Sequence, residues 1–232
     1  MKLYSGDCLN YLEECPYVPL MIADPPDNLG LDYEGFLDKN PQYYAWIFKL
    51  ICKSLAKTDH LWLSYYWEHD LQIKSDLNFI KKSIHPGLRI KTFIWRYTFG
   101  QYRESDCGSG FRFLVRLSKR SAKLYPDAIR IPSKRMAIGD SRAKGPRVPD
   151  DVWDFPRVVG NSTERQPWHP TQHPAALYHR IIALCSTEGD TVVDLFAGSG
   201  TIFRQTLPRN YVGCEISESY QEQLKRRNNG LL

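Results

Sequence analysis

Apolar residues along this chain follow two rhythms. Short unbroken runs, such as Leu20-Met21-Ile22-Ala23 and Thr191-Val192-Val193-Asp194-Leu195-Phe196, have the length of strands covered on both faces. Longer stretches repeat every three or four positions. Tyr44, Ala45, Ile47, Phe48, Ile51 and Leu55 mark a helix over 41–54, and Ala176, Leu177, Ile181, Ile182 and Leu184 mark another over 173–186, after Pro174. The same reading gives a strand at Lys2–Tyr4, a short helix over 7–14 capped by Asp7, a strand at Asp59–Tyr66 and a helix over 69–84. Near the end come a helix from Thr201 through Gln205, a strand at Tyr211–Ile216 and a final helix over 217–228. Strands and helices in this alternation specify a layered α/β domain.

The alternation breaks in the middle. Strand-like pieces at 89–97 and 111–117 lead into a stretch from Ser118 to Pro149 rich in Gly, Pro, Ser and Arg, with no sustained period. The chain therefore divides into an α/β half at 1–84, an insert with a long loop at 85–165, and a second α/β half at 166–232.

Charge sharpens that division. Of 31 Lys and Arg residues against 26 Asp and Glu, the segment from His85 to Arg147 holds 15 basic and 4 acidic ones. The basic positions alternate with Trp95, Tyr97, Phe99, Tyr102, Phe111 and Phe113, a combination suited to a polyanion with exposed bases. No apolar stretch approaches the roughly 20 residues needed to span a bilayer, and Met1-Lys2-Leu3-Tyr4-Ser5-Gly6-Asp7 lacks a signal-peptide core, so the expected setting is cytosolic and away from membranes. Cys8, Cys15, Cys52, Cys107, Cys185 and Cys214 lack metal-type pairing and read mainly as buried thiols. His169 and His173 have a helical metal-ligand spacing, but Pro170 and Pro174 oppose a regular helix there, so no metal is assigned.

Two loops carry chemistry. Asp24-Pro25-Pro26-Asp27 ends an apolar run, and consecutive prolines, with fixed φ and no N–H, present the Asp24 carboxylate and free carbonyls rigidly at a strand end. A corner rich in acceptors can grip an amino group. At the other end of the chain, Asp194-Leu195-Phe196-Ala197-Gly198-Ser199-Gly200-Thr201 joins a strand to a helix, and Glu215 ends the next strand, positioned for ribose hydroxyls. Neither the third glycine of a dinucleotide fingerprint nor a Gly-Lys-Ser/Thr follows, so a nucleoside without a pyrophosphate fits better.

These residues closely resemble the S-adenosylmethionine motif of the DNA amino-methyltransferases, and Asp24-Pro25-Pro26 resembles the start of their catalytic motif. The order, catalytic motif first, is similar to the β group of that family. Gly6-Asp7-Cys8, Asp151-Val152-Trp153-Asp154-Phe155-Pro156-Arg157 and His169-Pro170-Thr171-Gln172-His173-Pro174 agree, so the resemblance covers nearly the whole chain. It implies a Rossmann-like methyltransferase fold: a mixed, mainly parallel sheet of seven strands flanked by helices, circularly permuted, with a target-recognition insert. It also implies S-adenosylmethionine as cofactor and DNA as partner, in a bacterial or phage-encoded cytoplasmic enzyme of the restriction-modification type. A homodimer and a cognate nuclease are both compatible with the sequence, which specifies neither.

By motif match, Asp194, Phe196, Gly198, Ser199, Gly200 and Thr201 would form the cofactor turn, with Glu215 on the ribose. Asp7 and Cys8 would meet the adenine, Thr171 and Gln172 the methionine end, and Asp24 would border both sites. The resemblance implies methyl transfer to the exocyclic N6 amine of adenine, through hydrogen bonds from that amine to Asp24 and the Pro25 carbonyl after the base is flipped out of the duplex. Cytosine N4 is the alternative, since Ser is commoner than Asp at position 24 in enzymes acting on cytosine.

Asp27 departs from the family pattern, which places an aromatic residue after Pro26 to stack on the base. Three explanations follow: Tyr33 or another nearby ring substitutes, the substrate differs, or the protein is a weak or inactive homologue that binds DNA. Pro25, Pro26 and Asp27 complete the candidate catalytic loop, with Tyr33, Arg96 and Arg112 as candidate substrate contacts.

Overall fold

A computed structural model describes residues 2–33, 36–97, 104–142 and 144–229. The first half runs β1 (Lys2–Ser5), α1 (Cys8–Glu14), β2 (Val18–Ala23), β3 (Asp32–Tyr33), β4 (Phe36–Leu37), α2 (Tyr43–Lys57), β5 (Thr58–Tyr65) and α3 (Asp70–Phe79). A middle region follows with β6 (Arg89–Arg96), β7 (Phe111–Ser118), the one-turn α4 (Lys134–Ala137) and β8 (Val152–Asp154). The chain closes with α5 (Ala175–Cys185), β9 (Thr191–Asp194), α6 (Thr201–Thr206), β10 (Asn210–Glu215) and α7 (Glu218–Asn229).

Among the described residues eight strands, not the expected seven, form one sheet in the order β1-β10-β9-β2-β5-β7-β6-β8. The additional strand is β8, three residues on the sheet edge beside β6 and too short to show a period of its own. β1, β10, β9, β2 and β5 are mutually parallel, whereas β7 runs antiparallel to both β5 and β6. The strands of 85–165 are thus integral to the central sheet. A second feature absent from the sequence reading is the small β3–β4 ribbon.

β2 shows why its run is almost wholly apolar. Met21 and Ala23 join the cluster built with Leu12 of α1 and Ile47, Leu50 and Ile51 of α2. Leu20 and Ile22 face the opposite cluster, with Leu177, Ile181 and Ile182 of α5 and Ile202 of α6. Each such burial contributes about 1.5–3 kcal/mol, and the two-sided demand removes the polar alternation of a half-exposed strand.

The aromatic residues of the middle region also belong largely to this core. Trp95 is 2% exposed and donates its indole N–H to the Phe155 carbonyl at 2.8 Å. Phe113 packs on Tyr65 with ring centroids 5.7 Å apart. The expectation that these rings alternate with basic residues to meet bases is therefore corrected: strand pairing turns them inward. Phe99 and Tyr102 lie outside the described residues. Four cysteines are buried, Cys52 is half-buried and Cys107, in a connecting loop, is exposed.

Topology creates a crevice. From β2 the chain proceeds through α2 to β5 on one side, and from β9 through α6 to β10 on the other, so connections diverge at the adjacent pair β2 and β9. Ligands of open α/β sheets bind at the carboxyl ends of strands at such a reversal. Ile22 lies opposite Asp194 there, bringing the loops after both strands together.

Candidate active site

The two motif loops, about 170 residues apart in sequence, line one cavity of about 470 Å³. Asp24, Pro25, Pro26 and Asp27 form one wall, and Asp194, Phe196, Gly198, Ser199 and Thr201 another. Asp7, Cys8 and Glu215 line the side that the motif match would give the cofactor, and Thr171 and Gln172 a further, middle wall. Tyr33, on β3, borders the same space and places its hydroxyl 3.3 Å from Thr171 Oγ1.

Asp24 is held on both of its oxygens. Its Oδ1 accepts from Arg112 Nη2 at 3.1 Å, while Oδ2 lies 3.0 Å from His173 Nδ1 and accepts from the Tyr178 hydroxyl at 3.2 Å. Burial alone would raise its pKa, but the neighbouring His173 and Arg112 outweigh it and hold Asp24 well below the ordinary carboxylate range. Burial likewise opposes the charge on Arg112, yet Asp27 and Asp24 keep that guanidinium firmly protonated.

Arg112 reaches the site because β7 passes beside β5. Its Nε donates to Ser64 Oγ on that strand at 2.6 Å, and its two terminal nitrogens reach opposite oxygens of Asp27 at 2.6 and 2.8 Å. The loop is held further from behind: Asp27 Oδ1 accepts from the Tyr66 N–H at 3.2 Å, and the Asp27 carbonyl lies 2.7 Å from His69 Nε2. Tyr44 in turn lies 3.0 Å from His69 Nδ1.

On the cofactor side, buried carboxylates organise the backbone. Asp194 accepts from the Phe196 N–H at 3.2 Å and the Tyr211 hydroxyl at 2.9 Å. Burial nevertheless raises it to about 7. Glu215 receives the N–H groups of Gly198 and Ser217 at 2.8 and 2.9 Å, and burial raises its pKa as well. Asp7 Oδ1 caps α1 through the Leu9 N–H at 2.8 Å, and burial pushes the Cys8 thiol up. Gln172 Nε2 donates to Thr201 Oγ1 at 3.2 Å, and Thr201 lies 2.9 Å from Ser199 Oγ, tying the middle wall to the start of α6.

Two candidates lie outside the cavity. Gly200 begins α6 in the left-handed region at φ +73°, and a Cβ there would lie 2.5 Å from Leu224 Cδ2, so this glycine accommodates α7. Arg96 is exposed on β6 and makes a two-pronged pair with Asp154 at 2.6 and 3.0 Å. The sequence reading also missed His173, Tyr178, Ser64 and His69 as supports of the catalytic loop. His173 was visible only within the His169–Pro174 motif and in a metal-ligand spacing that its flanking prolines oppose.

The cavity fits an adenosine-bearing molecule. Gly198 adopts φ +43°, and a Cβ there would fall 2.6 Å from His169 Nε2, so its absence keeps the turn open. Phe196 and Trp46 meet edge to face, with centroids 5.8 Å apart, along the apolar wall. His169, driven down to about 4 chiefly by burial, presents an uncharged ring whose buried Nδ1 has no hydrogen-bond partner. Apolar ring walls, a glycine cradle and a carboxylate at a strand end together suit a nucleoside.

Comparison with known proteins agrees with this geometry. A family model described as DNA methylase matches residues 18–226. The DNA adenine methyltransferase YhdJ of Escherichia coli (strain K12) is 32% identical over 97% of this chain and 81% of its own length. The type II methyltransferase M.HpaI of Haemophilus parainfluenzae is 30% identical, covering 90% of this chain and 68% of its own. Among solved structures, an M1.HpyAVI–SAM complex superposes with a TM-score of 0.68 at 20% identity, covering 98% of each chain. The cytosine-N4-specific PvuII DNA methyltransferase gives 0.69 at 17% identity, over 94% of this chain and 82% of that one.

Proposed function

The chain belongs to the DNA methylase family, and we propose that it transfers a methyl group from S-adenosylmethionine to the exocyclic N6 amine of adenine at specific sites in DNA. One observation carries the reading: a carboxylate held charged at the end of β2 shares a cavity with a glycine turn and Glu215 at the ends of β9 and β10. When bound, S-adenosylmethionine supplies an electrophilic methyl group on a sulfonium centre. Phe196 and Trp46 would hold its adenine, with Asp7 and Cys8 nearby, Glu215 its ribose, and Thr171 and Gln172 its methionine end.

Asp24 and the Pro25 carbonyl then receive the two N–H groups of the target amine. An aniline-like nitrogen delocalises its lone pair into the ring, and two fixed acceptors favour the pyramidal form in which that pair points at the donor. Catalysis rests on orientation and fixed charge, effects that reach many powers of ten when the geometry is rigid. The rigidity comes from Pro25 and Pro26 and from the contacts around Asp24 and Asp27. Asp24, as acceptor of one N–H, also marks the path by which the nitrogen loses its proton.

Adenine is favoured over cytosine by Asp rather than Ser at position 24 and by the adenine-methylating relative. Tyr33, which lines the cavity, would be the ring that stacks on the base. Exposed cations of the connecting region, including Arg120, Lys123, Arg130 and Arg135, would neutralise phosphates, which gives affinity but no sequence readout. A cytoplasmic setting is proposed with that substrate; separately, among the described residues no helix is long and apolar enough to cross a membrane.

The test is transfer of labelled methyl from S-adenosylmethionine to methyl-free genomic DNA, followed by nucleoside analysis. Label on N6-methyl-2′-deoxyadenosine, lost in Asp24→Ala, is expected. Label on cytosine, RNA or protein overturns the assignment.

A further inference from the structure

Asp27 occupies the position where the family pattern calls for a ring, and its surroundings give it another task. Both oxygens engage Arg112, at 2.6 and 2.8 Å, and the side chain is only 17% exposed. Arg112 spends its remaining contacts on Ser64 at 2.6 Å and on Asp24 at 3.1 Å. One guanidinium therefore bridges the two carboxylates of the same loop, with the two-pronged contact on Asp27 and a single one on Asp24.

That asymmetry matters for acceptor capacity. An ionised carboxylate has about four lone-pair sites. Around Asp24, Arg112 takes one on Oδ1, while His173 and Tyr178 crowd Oδ2. The Oδ1 site that remains is the one available to an incoming amine. A guanidinium without Asp27 would turn its fork onto Asp24, since paired N–H groups favour both oxygens of one carboxylate.

We infer that Asp27 is a positioning residue: it holds the fork of Arg112 so that Asp24 receives one hydrogen bond from it and keeps an acceptor site for the target amine. This role rests on the amino-methyltransferase reading above and extends it to the residue that departs from the family pattern. Asp27 makes no stacking contact; its carboxylate acts on Asp24 through Arg112, while the Tyr66 N–H, donating to its Oδ1 at 3.2 Å, holds that carboxylate in place.

The experiment compares wild type, Asp27→Asn, Asp27→Glu, Arg112→Gln and the Asp27→Asn/Arg112→Gln double variant. Each is assayed with labelled S-adenosylmethionine and methyl-free genomic DNA, and S-adenosylhomocysteine binding by calorimetry verifies the cofactor side. Asp27→Asn is expected to lower kcat about 100-fold with the KM for DNA unchanged, since displacement of a reacting group costs about that much. Asp27→Glu recovers part of the loss by keeping a carboxylate opposite Arg112. Removing Arg112 from the Asp27→Asn background frees Asp24 again, so the double variant turns over about 10-fold faster than Asp27→Asn alone.

A raised DNA KM at unchanged kcat in Asp27→Asn overturns the inference, as does a double variant whose loss is the product of the single losses. Should Asp27→Asn not fold, Arg112→Lys decides: it keeps the charge without the fork, so a fall in kcat at constant KM supports the bridge, and a raised KM at constant kcat overturns it. Wild-type protein that transfers nothing to DNA overturns the adenine reading and the bridge together. Wild-type transfer with either adverse variant result overturns the bridge alone.

Discussion

His169 stands where a side chain on residue 198 would have to go: a Cβ built on Gly198 falls 2.6 Å from His169 Nε2. The ring is packed against Tyr220 at a centroid distance of 5.3 Å, so it cannot yield cheaply. Gly198→Ala is therefore expected to weaken S-adenosylmethionine binding more than 10-fold, through the combination of this clash with a left-handed backbone that costs about 1–3 kcal/mol for a side-chain-bearing residue. Gly87→Ala is the control. Its φ of +92° imposes comparable strain, but nothing lies within 4 Å of the added Cβ and the site is away from the cavity. Calorimetry should show a loss of affinity only in the first variant; equal affinities would remove Gly198 from the cofactor wall.

Tyr33 separates ring from hydroxyl. Its ring lies 6.2 Å from that of His169 and its hydroxyl 3.3 Å from Thr171 Oγ1, so it bridges the ribbon to the middle wall. Base stacking on an aromatic side chain is worth about 1–3 kcal/mol. Tyr33→Ala should raise the KM for DNA about 10-fold, while Tyr33→Phe keeps the platform and stays near wild type. Steady-state kinetics with methyl-free DNA check this, and equal effects of Phe and Ala would assign the role to the hydroxyl instead.

The parts legible in the sequence were those with a local physical signature. The apolar run before Asp24, the α5 periodicity and the Gly198 turn each show their element without reference to the rest of the chain. Asp7 as a helix cap is equally local. Tertiary choices were not legible. Arg112 read as a candidate substrate contact in a basic segment, because nothing in its neighbourhood announces that β7 pairs with β5 and carries it to the carboxylates of another loop. Trp95 and Phe113 looked like base-stacking residues for the same reason: composition counts rings but does not say which sheet face covers them. β8 escaped notice because three edge residues contain too few positions for a period.

Asp27→Tyr restores the residue type of the family pattern, a ring that would stack on the base. In the folded protein it would remove the two-pronged partner of Arg112, whose side chain is 11% exposed. Breaking a buried ion pair by removing one member costs about 3–5 kcal/mol, and the remaining contact with Asp24 offsets only part of that. Denaturant unfolding should show a clear loss of stability, with turnover reduced as well. A variant at least as stable as wild type would mean that Arg112 is satisfied without Asp27.

Asp194 gives the protein a characteristic stability profile against pH. In the unfolded chain its carboxyl titrates near 4. In the folded protein burial raises it to about 7, even though the Tyr211 hydroxyl and the Phe196 N–H both favour the charged form. Between these values the folded state holds a proton that the unfolded state has lost, so this group favours folding at the acidic end and does so less as pH rises from about 4 to about 7. Asp24 acts outside that window. Its depressed pKa gives a contribution present above the ordinary aspartate range and lost only as pH falls below it. Glu215, raised by burial, slopes the same way as Asp194, so total stability does not isolate either group. The difference between wild type and Asp194→Asn does, because the amide has nearly the same shape and cannot titrate. That difference should shift steadily against wild type as pH rises from about 4 to about 7 and level off above it, in urea unfolding followed by circular dichroism. Parallel profiles would show that Asp194 stays ionised throughout, with Tyr211 and the turn backbone compensating its burial in full.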